Sequence, residues 1–333
     1  MKVIIPVAGA GTRLRPHTYT QPKPLIPVAG KTILATIIDQ LLEVEKLEQI
    51  ILVIGYLGDK IREYVEKTYP DAPIEFVYQE QRLGLGHAIW SAKAQVEQDK
   101  ELFIALGDII FDCDLNLMIN SPNSCLAIKK VEDPRNFGVA ELNEQGQVRR
   151  LVEKPKIPKS NLALIGLYKI NEVSLLFECL EYIIQQDLRT RNEYQLTDAL
   201  MLMIEKGANF NTLQVDVWHD CGRKEILLET NALLLKRASY KNNPPQQFPH
   251  TIVIPPVFIG QNCQIQNSII GPNVSIGDNS SLKNTIIRNS IIGNFAAIED
   301  TVLNKSLIGN DAAIKGVCQS LNIGDNTQID FSV

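Results

Sequence analysis

Histidine is scarce in this sequence: His17, His87, His219 and His250 are the four in 333 residues. None stands in a pattern that a Ser–His–Asp or Cys–His nucleophile would need, so acyl-transfer chemistry built on an imidazole base is disfavoured. The six cysteines (Cys113, Cys125, Cys179, Cys221, Cys263, Cys318) are scattered, with no C-x-x-C and no histidine pair beside them. This excludes a zinc ribbon and a disulfide framework and reads as reduced thiols in a cytoplasmic protein. No run approaches the ~20 apolar residues of a membrane-spanning helix. The opening "MKVIIPVAGAG" is short, interrupted by Pro6 and followed by Arg13 and Arg15, so it reads as a strand rather than a signal peptide. Net charge is -5, with no basic run or basic–aromatic stripe. The overall field therefore favours neither nucleic acid nor an anionic membrane.

Two phosphate-binding templates are also missing. A dinucleotide fingerprint G-x-G-x-x-G fails because Leu14 stands where the third glycine after Gly9 and Gly11 belongs. A Walker A loop fails because Leu25 occupies the glycine position five residues before Gly30. Gly30-Lys31-Thr32 accordingly reads as a turn and a helix start. What remains is a glycine-rich turn, then Arg13, Arg15 and Lys23 among Pro16, Pro22, Pro24 and Pro27. Proline fixes φ and stiffens the chain. A stiff loop carrying cations suits a highly charged ligand.

The first hundred residues alternate apolar runs ("KVIIPVA", "QIILVIGY", "IEFVYQ", "LFIALGD") with helical periods ("TILATIIDQLLEVE", "KIREYVEKTY", "GHAIWSAKAQV"). This predicts α/β architecture with a mostly parallel sheet. Ligands bind such sheets beyond the carboxyl ends of the strands, where Gly9, Gln79 and Asp108 fall. From Cys125 the texture changes to strands joined by short turns, read as a mixed or antiparallel insertion forming a second wall of the cleft. Helices return at "EVSLLFECLEYIIQQ" and "TDALMLMIEKG", and a long helix, "KEILLETNALLLKRA", closes the domain. Trp90 lies on an apolar helix face and reads as core.

After "NNPPQQFPH", Ile-Gly recurs at Ile259-Gly260, Ile270-Gly271, Ile276-Gly277, Ile292-Gly293, Ile308-Gly309 and Ile323-Gly324. Aliphatic residues return every five or six positions. Three such steps make a coil of roughly 16–17 residues, as in a hexapeptide β-helix. Pro244, Pro245 and Pro249 form a stiff connector.

The order of motifs resembles the sugar-nucleotidyltransferases, or nucleoside-diphosphate-sugar pyrophosphorylases, over roughly residues 1–235. Gly9-Ala10-Gly11-Thr12-Arg13-Leu14 with Pro22-Lys23-Pro24-Leu25 resembles the long signature. Leu83 to Ala88 resembles the base-side loop, and Leu106-Gly107-Asp108 the metal motif. Phe137-Gly138-Val139, Val152-Glu153-Lys154-Pro155 and Trp218 to Gly222 resemble the sugar-side and second metal motifs. The resemblance implies a Rossmann-like nucleotidyltransferase domain over 1–235, a linker over 236–250 and a short left-handed parallel β-helix over 251–333. Within this family, a sugar 1-phosphate attacks the α-phosphate of a nucleoside triphosphate and pyrophosphate leaves.

On this reading the loop Ala8, Gly9, Ala10, Gly11, Thr12 presents backbone N–H groups to the triphosphate. Arg13 holds the leaving phosphates and Lys23 the α-phosphate. Asp108 and Asp220 hold Mg²⁺, which binds through one or two carboxylates plus substrate phosphates. Asp112 and Asp114 lie beyond the apolar strand that Asp108 closes, which favours Asp108. Gly138, Glu153 and Lys154 take the sugar phosphate. Gln79 and Gly84 face the base, and an amide that both donates to O4 and accepts from N3–H suits uracil or thymine. Trp218 and His219 read as packing groups.

The expectation is thus dTTP or UTP with glucose 1-phosphate, in a homo-oligomer. The alternatives are a mannose-1-phosphate guanylyltransferase, or a regulatory subunit that binds sugar nucleotides without turnover. Acetyl transfer by the coils is disfavoured, because the last histidine, His250, precedes the repeats.

Overall fold

Apolar runs and helical periods fall into register in the computed structural model, which describes residues 1–237 and 248–316. Pro244, Pro245, Cys318 and Ile323-Gly324 lie outside those residues. The chain divides into two units, Met1–Thr230 and Asn231–Val333.

In the first unit the order is β1 (Lys2–Pro6), a short hairpin of β2 (Pro27–Val28) and β3 (Lys31–Thr32), α1 (Ile33–Leu42), β4 (Gln49–Ile54), α2 (Gly58–Thr68), β5 (Ile74–Tyr78), α3 (Leu85–Ser91), α4 (Lys93–Val96) and β6 (Leu102–Ala105). Then come β7 (Ile109–Asp112), α5 (Leu115–Ile119), β8 (Ser124–Lys130), β9 (Gly138–Leu142), β10 (Val148–Glu153), β11 (Leu162–Ile170), α6 (Val173–Gln185), α7 (Leu196–Glu205), β12 (Phe210–Gln214) and β13 (Val217–Asp220), and the last helix, α8 (Lys224–Lys236), runs across the boundary between the units.

The runs that read as continuously apolar are the sheet's interior. β1 lies parallel between β4 and β6, and β4 is parallel to β5. Ile4, Ile5, Ile50 to Ile54 and Leu102 to Ala105 are buried, each large aliphatic side chain contributing about 1.5–3 kcal/mol relative to exposure. Gly30-Lys31-Thr32 does start a helix: Thr32 caps α1, its hydroxyl accepting from the Ala35 amide at 3.1 Å. Trp90 packs against the main apolar core.

The strands that follow Cys125 are mixed, antiparallel except for one parallel pair, as expected, and they extend the first sheet. β11 runs antiparallel to β6, and β9, β10, β8 and β12 continue from it, so one sheet has the path β10-β9-β11-β6-β1-β4-β5 with β8 attached at β11 and β12 at β8. A change from parallel to antiparallel texture is a change of connection, and both kinds of strand can share a sheet. β7 and β13 form a separate antiparallel ribbon, with Asp220 opposite Ile109.

β11 serves both halves because it is irregular. Its register to β8 shifts between Leu164 and Tyr168, at Gly166, whose φ is +95°. Leu106, which leads into Asp108, donates its amide to the Gly166 carbonyl at 2.9 Å.

The second unit fits the expected short left-handed β-helix. Among the described residues it forms three four-stranded parallel sheets. Ile252, Ile269, Ile286 and Val302 share one register, and Ile265, Leu282, Ile298 and Ile314 another. Ile270, Ile276, Ile287 and Ile292 are among the buried core of the coil.

Gly166→Ala adds a Cβ 2.7 Å from Leu106 Cδ1 at a φ that side chains rarely adopt. We expect it to destabilise the first unit by about 1–3 kcal/mol. Both tryptophans, Trp90 and Trp218, lie in that unit, so a lower midpoint of the fluorescence-detected urea transition reports the effect. An unchanged midpoint would refute this account of the bulge.

Candidate active site

Beyond the carboxyl ends of β1, β5 and β6 lies a cavity of about 610 Å³, a size that accommodates a nucleotide-sized ligand. Ala8, Gly9, Ala10, Gly11, Thr12, Arg13, Lys23, Gln79, Gly84 and Asp108 all line it. The structure thus brings together the residues assigned to the nucleotide.

The glycine-rich loop descends through three short 3₁₀ turns, Thr12–Leu14, His17–Tyr19 and Lys23–Leu25. Gly11 has φ +59°, and a Cβ there would lie 3.0 Å from Lys23 Cβ. Glycine therefore both permits the turn and lets Lys23 close over it. The Thr18 hydroxyl donates to the Gly11 carbonyl at 2.9 Å and holds the loop on itself. Gly9 differs: nothing lies within 4 Å of its missing Cβ, so its backbone faces open space.

Lys23 is 6% exposed. Its Nζ lies 2.6 Å from Asp108 Oδ2 and 3.6 Å from Asp220 Oδ1, and Arg13 Nη2 lies 3.5 Å from Asp220 Oδ2. Two cations and two carboxylates, from the loop, the β6–β7 turn and the end of β13, form one cluster. The Cys221 amide donates to the Asp108 carbonyl at 3.1 Å and fixes the spacing of the two aspartate segments. Burial raises the Asp108 pKa, but the charge and hydrogen bond of Lys23, with the Arg13 charge, outweigh it and hold the carboxyl below its ordinary range. Cys221 beside them is pushed up to about 12, chiefly by burial, and is a thiol rather than a nucleophile at neutral pH. Asp114 is engaged as the N-cap of α5, accepting from the Asn116 amide at 2.9 Å, and Asp112 lies at the far end of β7.

Gly138, Glu153 and Lys154 form a second cluster and are not among the cavity-lining residues. Gly138 faces Glu153 across the β9–β10 ladder. Glu153 accepts from the Thr197 hydroxyl at 2.7 Å and pairs with Lys154 Nζ at 2.9 Å. Lys154 has φ +43°; its amide donates to the Phe137 carbonyl and its own carbonyl accepts from Arg191 Nη2, both at 2.9 Å. Two features join the clusters. Trp218 meets Phe137 edge-on, with ring centroids 5.0 Å apart. The buried Tyr168 phenol is raised in pKa by burial and then by the charges of both Glu153 and Asp108.

Arg82 and Glu193 line the cavity and were not legible from the sequence; as exposed charges in loops they look like solvated surface. Thr197 was missed because Thr-Asp before an apolar period reads simply as a helix start.

Comparisons with known proteins agree with this geometry. A family model described as nucleotidyl transferase matches residues 2–237. The chain is 39% identical over 243 residues to a protein named bifunctional protein GlmU of Methanococcus vannielii, covering 71% of this chain and 55% of the relative. It is 29% identical over 233 residues to a UTP–glucose-1-phosphate uridylyltransferase, AglF, of Haloferax volcanii, covering 68% of this chain and 93% of the relative. A solved UDP-glucose pyrophosphorylase complexed with UDP-glucose superposes with a TM-score of 0.61 at 26% identity, covering 71% of this chain and 99% of that one. The chain spans about half the length of the GlmU relatives it matches. Among the described residues, no helix is long and apolar enough to cross a membrane.

Lys23→Met removes the cation between the carboxylates at similar side-chain length. The depressed folded pKa of Asp108 contributes stability above its unfolded value, near 4, that is lost as pH falls through the folded pKa. Without Lys23, burial dominates and the Asp108 pKa should rise, which carboxyl ¹³C NMR titration would detect. Stability at pH 7 should fall by about 1–2 kcal/mol, less than the 3–5 of a fully buried pair, since the Asp108 side chain is 37% exposed. An unmoved Asp108 titration would refute the coupling.

Proposed function

The chain belongs to the nucleotidyl transferase family, and on that premise we propose that it transfers a nucleotidyl group from UTP or dTTP to a sugar 1-phosphate, with glucose 1-phosphate as the preferred acceptor. The carrying observation is the Lys23–Asp108–Asp220–Arg13 cluster on the wall of a nucleotide-sized cavity. The uridylyltransferase and UDP-glucose pyrophosphorylase relatives support the uridine and glucose reading.

In the proposed reaction, a phosphate oxygen of the sugar phosphate forms a bond to the α-phosphorus while the bond to pyrophosphate breaks. The second pKa of a phosphate monoester is near 6, so the nucleophile is largely dianionic at pH 7 and needs no base. This agrees with the scarcity of histidine. The obstacle is repulsion between polyanions, and catalysis is positioning with charge neutralisation. Backbone amides from Ala8 to Thr12 would cradle the triphosphate. Arg13 would stabilise the leaving pyrophosphate and Lys23 the α-phosphate, where charge shifts in the transition state. Lys154 would hold the sugar phosphate and Glu153, with Thr197 orienting it, a sugar hydroxyl.

Asp108 and Asp220 fit Mg²⁺: they offer hard carboxylate oxygens, and the Lys23 ammonium already marks the space between them as one that favours positive charge. Among the described residues no third ligating side chain joins them, which suits an ion completed by substrate phosphates and water. When bound, the ion would supply charge neutralisation at the phosphates.

We assign the coils to self-association. Ile252 and Val302 are 60% and 62% exposed, and Ile286 38%, in one register on one sheet. Their interior carries no histidine, which continues to argue against a second catalytic centre there.

Asp108→Asn should keep the fold and reduce pyrophosphate release by at least ~10²-fold, because an amide cannot neutralise the ion. A coupled assay across four triphosphates and several sugar 1-phosphates tests both this and the substrates. Turnover near wild type would remove Asp108 from the site, and no turnover by the wild type with any pair would overturn the function. Ile286→Glu should lower the mass measured by light scattering while leaving circular dichroism intact. A monomeric wild type would sink the assembly role.

A further inference from the structure

Gln79 stands just past β5, is 6% exposed and lines the cavity. Both protons of its amide nitrogen have partners. Nε2 donates to the Gly84 carbonyl at 3.1 Å, and it lies 3.0 Å from His87 Nδ1. A carbonyl can only accept, so Nε2, and not Oε1, must face Gly84. The amide orientation is therefore dictated by chemistry. With one proton on Gly84, the other meets the imidazole, which must offer a lone pair at Nδ1 and carry its proton on Nε2. Burial lowers the His87 pKa, so the ring is neutral at pH 7, as that lone pair requires. Oε1 accepts no hydrogen bond among the described residues. The side chain thus offers the cavity one acceptor and no donor, a correction to the expectation that it both donates and accepts.

Local structure explains how the lock is held. Gly84 is the N-cap of α3 with φ +113°, and a Cβ there would lie 2.6 Å from the Tyr194 carbonyl. The Gly86 amide donates to that same carbonyl at 2.8 Å, and the Tyr194 amide donates to Leu83 at 2.8 Å. The start of the helix is therefore fixed against its neighbour. His87, three residues on, sits with its ring 5.6 Å from Trp90.

We propose that His87 is a positioning residue for base selection: by taking the second amide proton of Gln79 it leaves only Oε1 to meet the base. The site then accepts bases with an imino N–H on the Watson–Crick edge (N3–H of uracil and thymine, N1–H of guanine). It rejects those with a lone pair there (N3 of cytosine, N1 of adenine). This rests on the nucleotidyl-transfer reading above.

The test is the ratio of kcat/KM for UTP over CTP in wild type, His87→Ala and His87→Asn; if the wild type prefers GTP, the ratio of GTP over ATP replaces it. In His87→Ala the freed amide proton can turn to the base, and the ratio should fall by about 10–100-fold, chiefly through KM. Asn Oδ1 occupies nearly the place of His Nδ1, so His87→Asn should restore most of the ratio. An active His87→Ala with an unchanged ratio would overturn the proposal. So would ¹⁵N NMR of the wild type showing His87 protonated on Nδ1 at pH 7, a result that needs no variant to fold. Absence of pyrophosphate release by the wild type with every triphosphate would instead count against the function itself.

Discussion

One ammonium group organises the first unit of this molecule. The Lys23 side chain is nearly inaccessible to water, and an isolated charge in that position would cost several kcal/mol. It is tolerated because Asp108 and Asp220 approach it at 2.6 and 3.6 Å. Those two carboxylates come from a turn after the central strand β6 and from the end of the β7–β13 ribbon. Meeting Lys23 therefore requires the proline-stiffened loop, the sheet and the ribbon to be in place together. Gly11 is the steric condition for this, since any Cβ would press on Lys23.

The same cluster is suited to polyanions because it is balanced before they arrive. Two positive and two negative groups hold each other in fixed positions, so their dipoles need little reorganisation when phosphate oxygens enter. Segment 190–197 connects this machinery to the second cluster. Arg191 and Asn192, at φ +56° and +66°, make a tight turn closed by Thr190 and Glu193. From it, Glu193 lines the cavity, Tyr194 clamps the loop at Leu83 and Gly86, Arg191 holds the Lys154 carbonyl and Thr197 holds Glu153. One short stretch thereby fixes the Leu83–Ala88 loop and the Glu153–Lys154 pair to each other.

Legibility followed the range of the interactions. β1, β4 and β6 were readable because burial on both faces makes them continuously apolar, β5 as a shorter, half-buried run at the end of the sheet, and α1 and α2 because one buried face repeats at helical spacing. Arg13, Lys23, Asp108 and Asp220 were readable as a motif order, and the structure places them within 4 Å of a partner in the cluster. The single sheet was not readable, since a strand's own sequence does not say which edge it joins; the irregular strand β11 decides that. Nor was the occupied donor capacity of Gln79, which depends on a carbonyl and an imidazole that no periodicity places. Arg82 and Glu193 carry no local signal at all, because an exposed charge in a loop looks the same whether a ligand or water faces it.

The coils show why repetition is so much easier to read than a site. Asn262, Asn267, Asn273, Asn279, Asn284 and Asn289 all have φ between +48° and +61°, the left-handed corners that asparagine tolerates better than most side chains. Their amides also bond from coil to coil: Asn267 to Asn284 and on to Asp300, and Asn273 to Asn289 and on to Asn304. Each corner thus specifies the residue type at the corner above and below it, and the sequence must repeat for the ladder to exist. In the cavity nothing lies within 4 Å of the missing Cβ of Gly9, and Gln79 Oε1 accepts no hydrogen bond among the described residues. Neither group repeats or pairs along the sequence, so its place in the site emerges only once the geometry shows which protein partners are already taken.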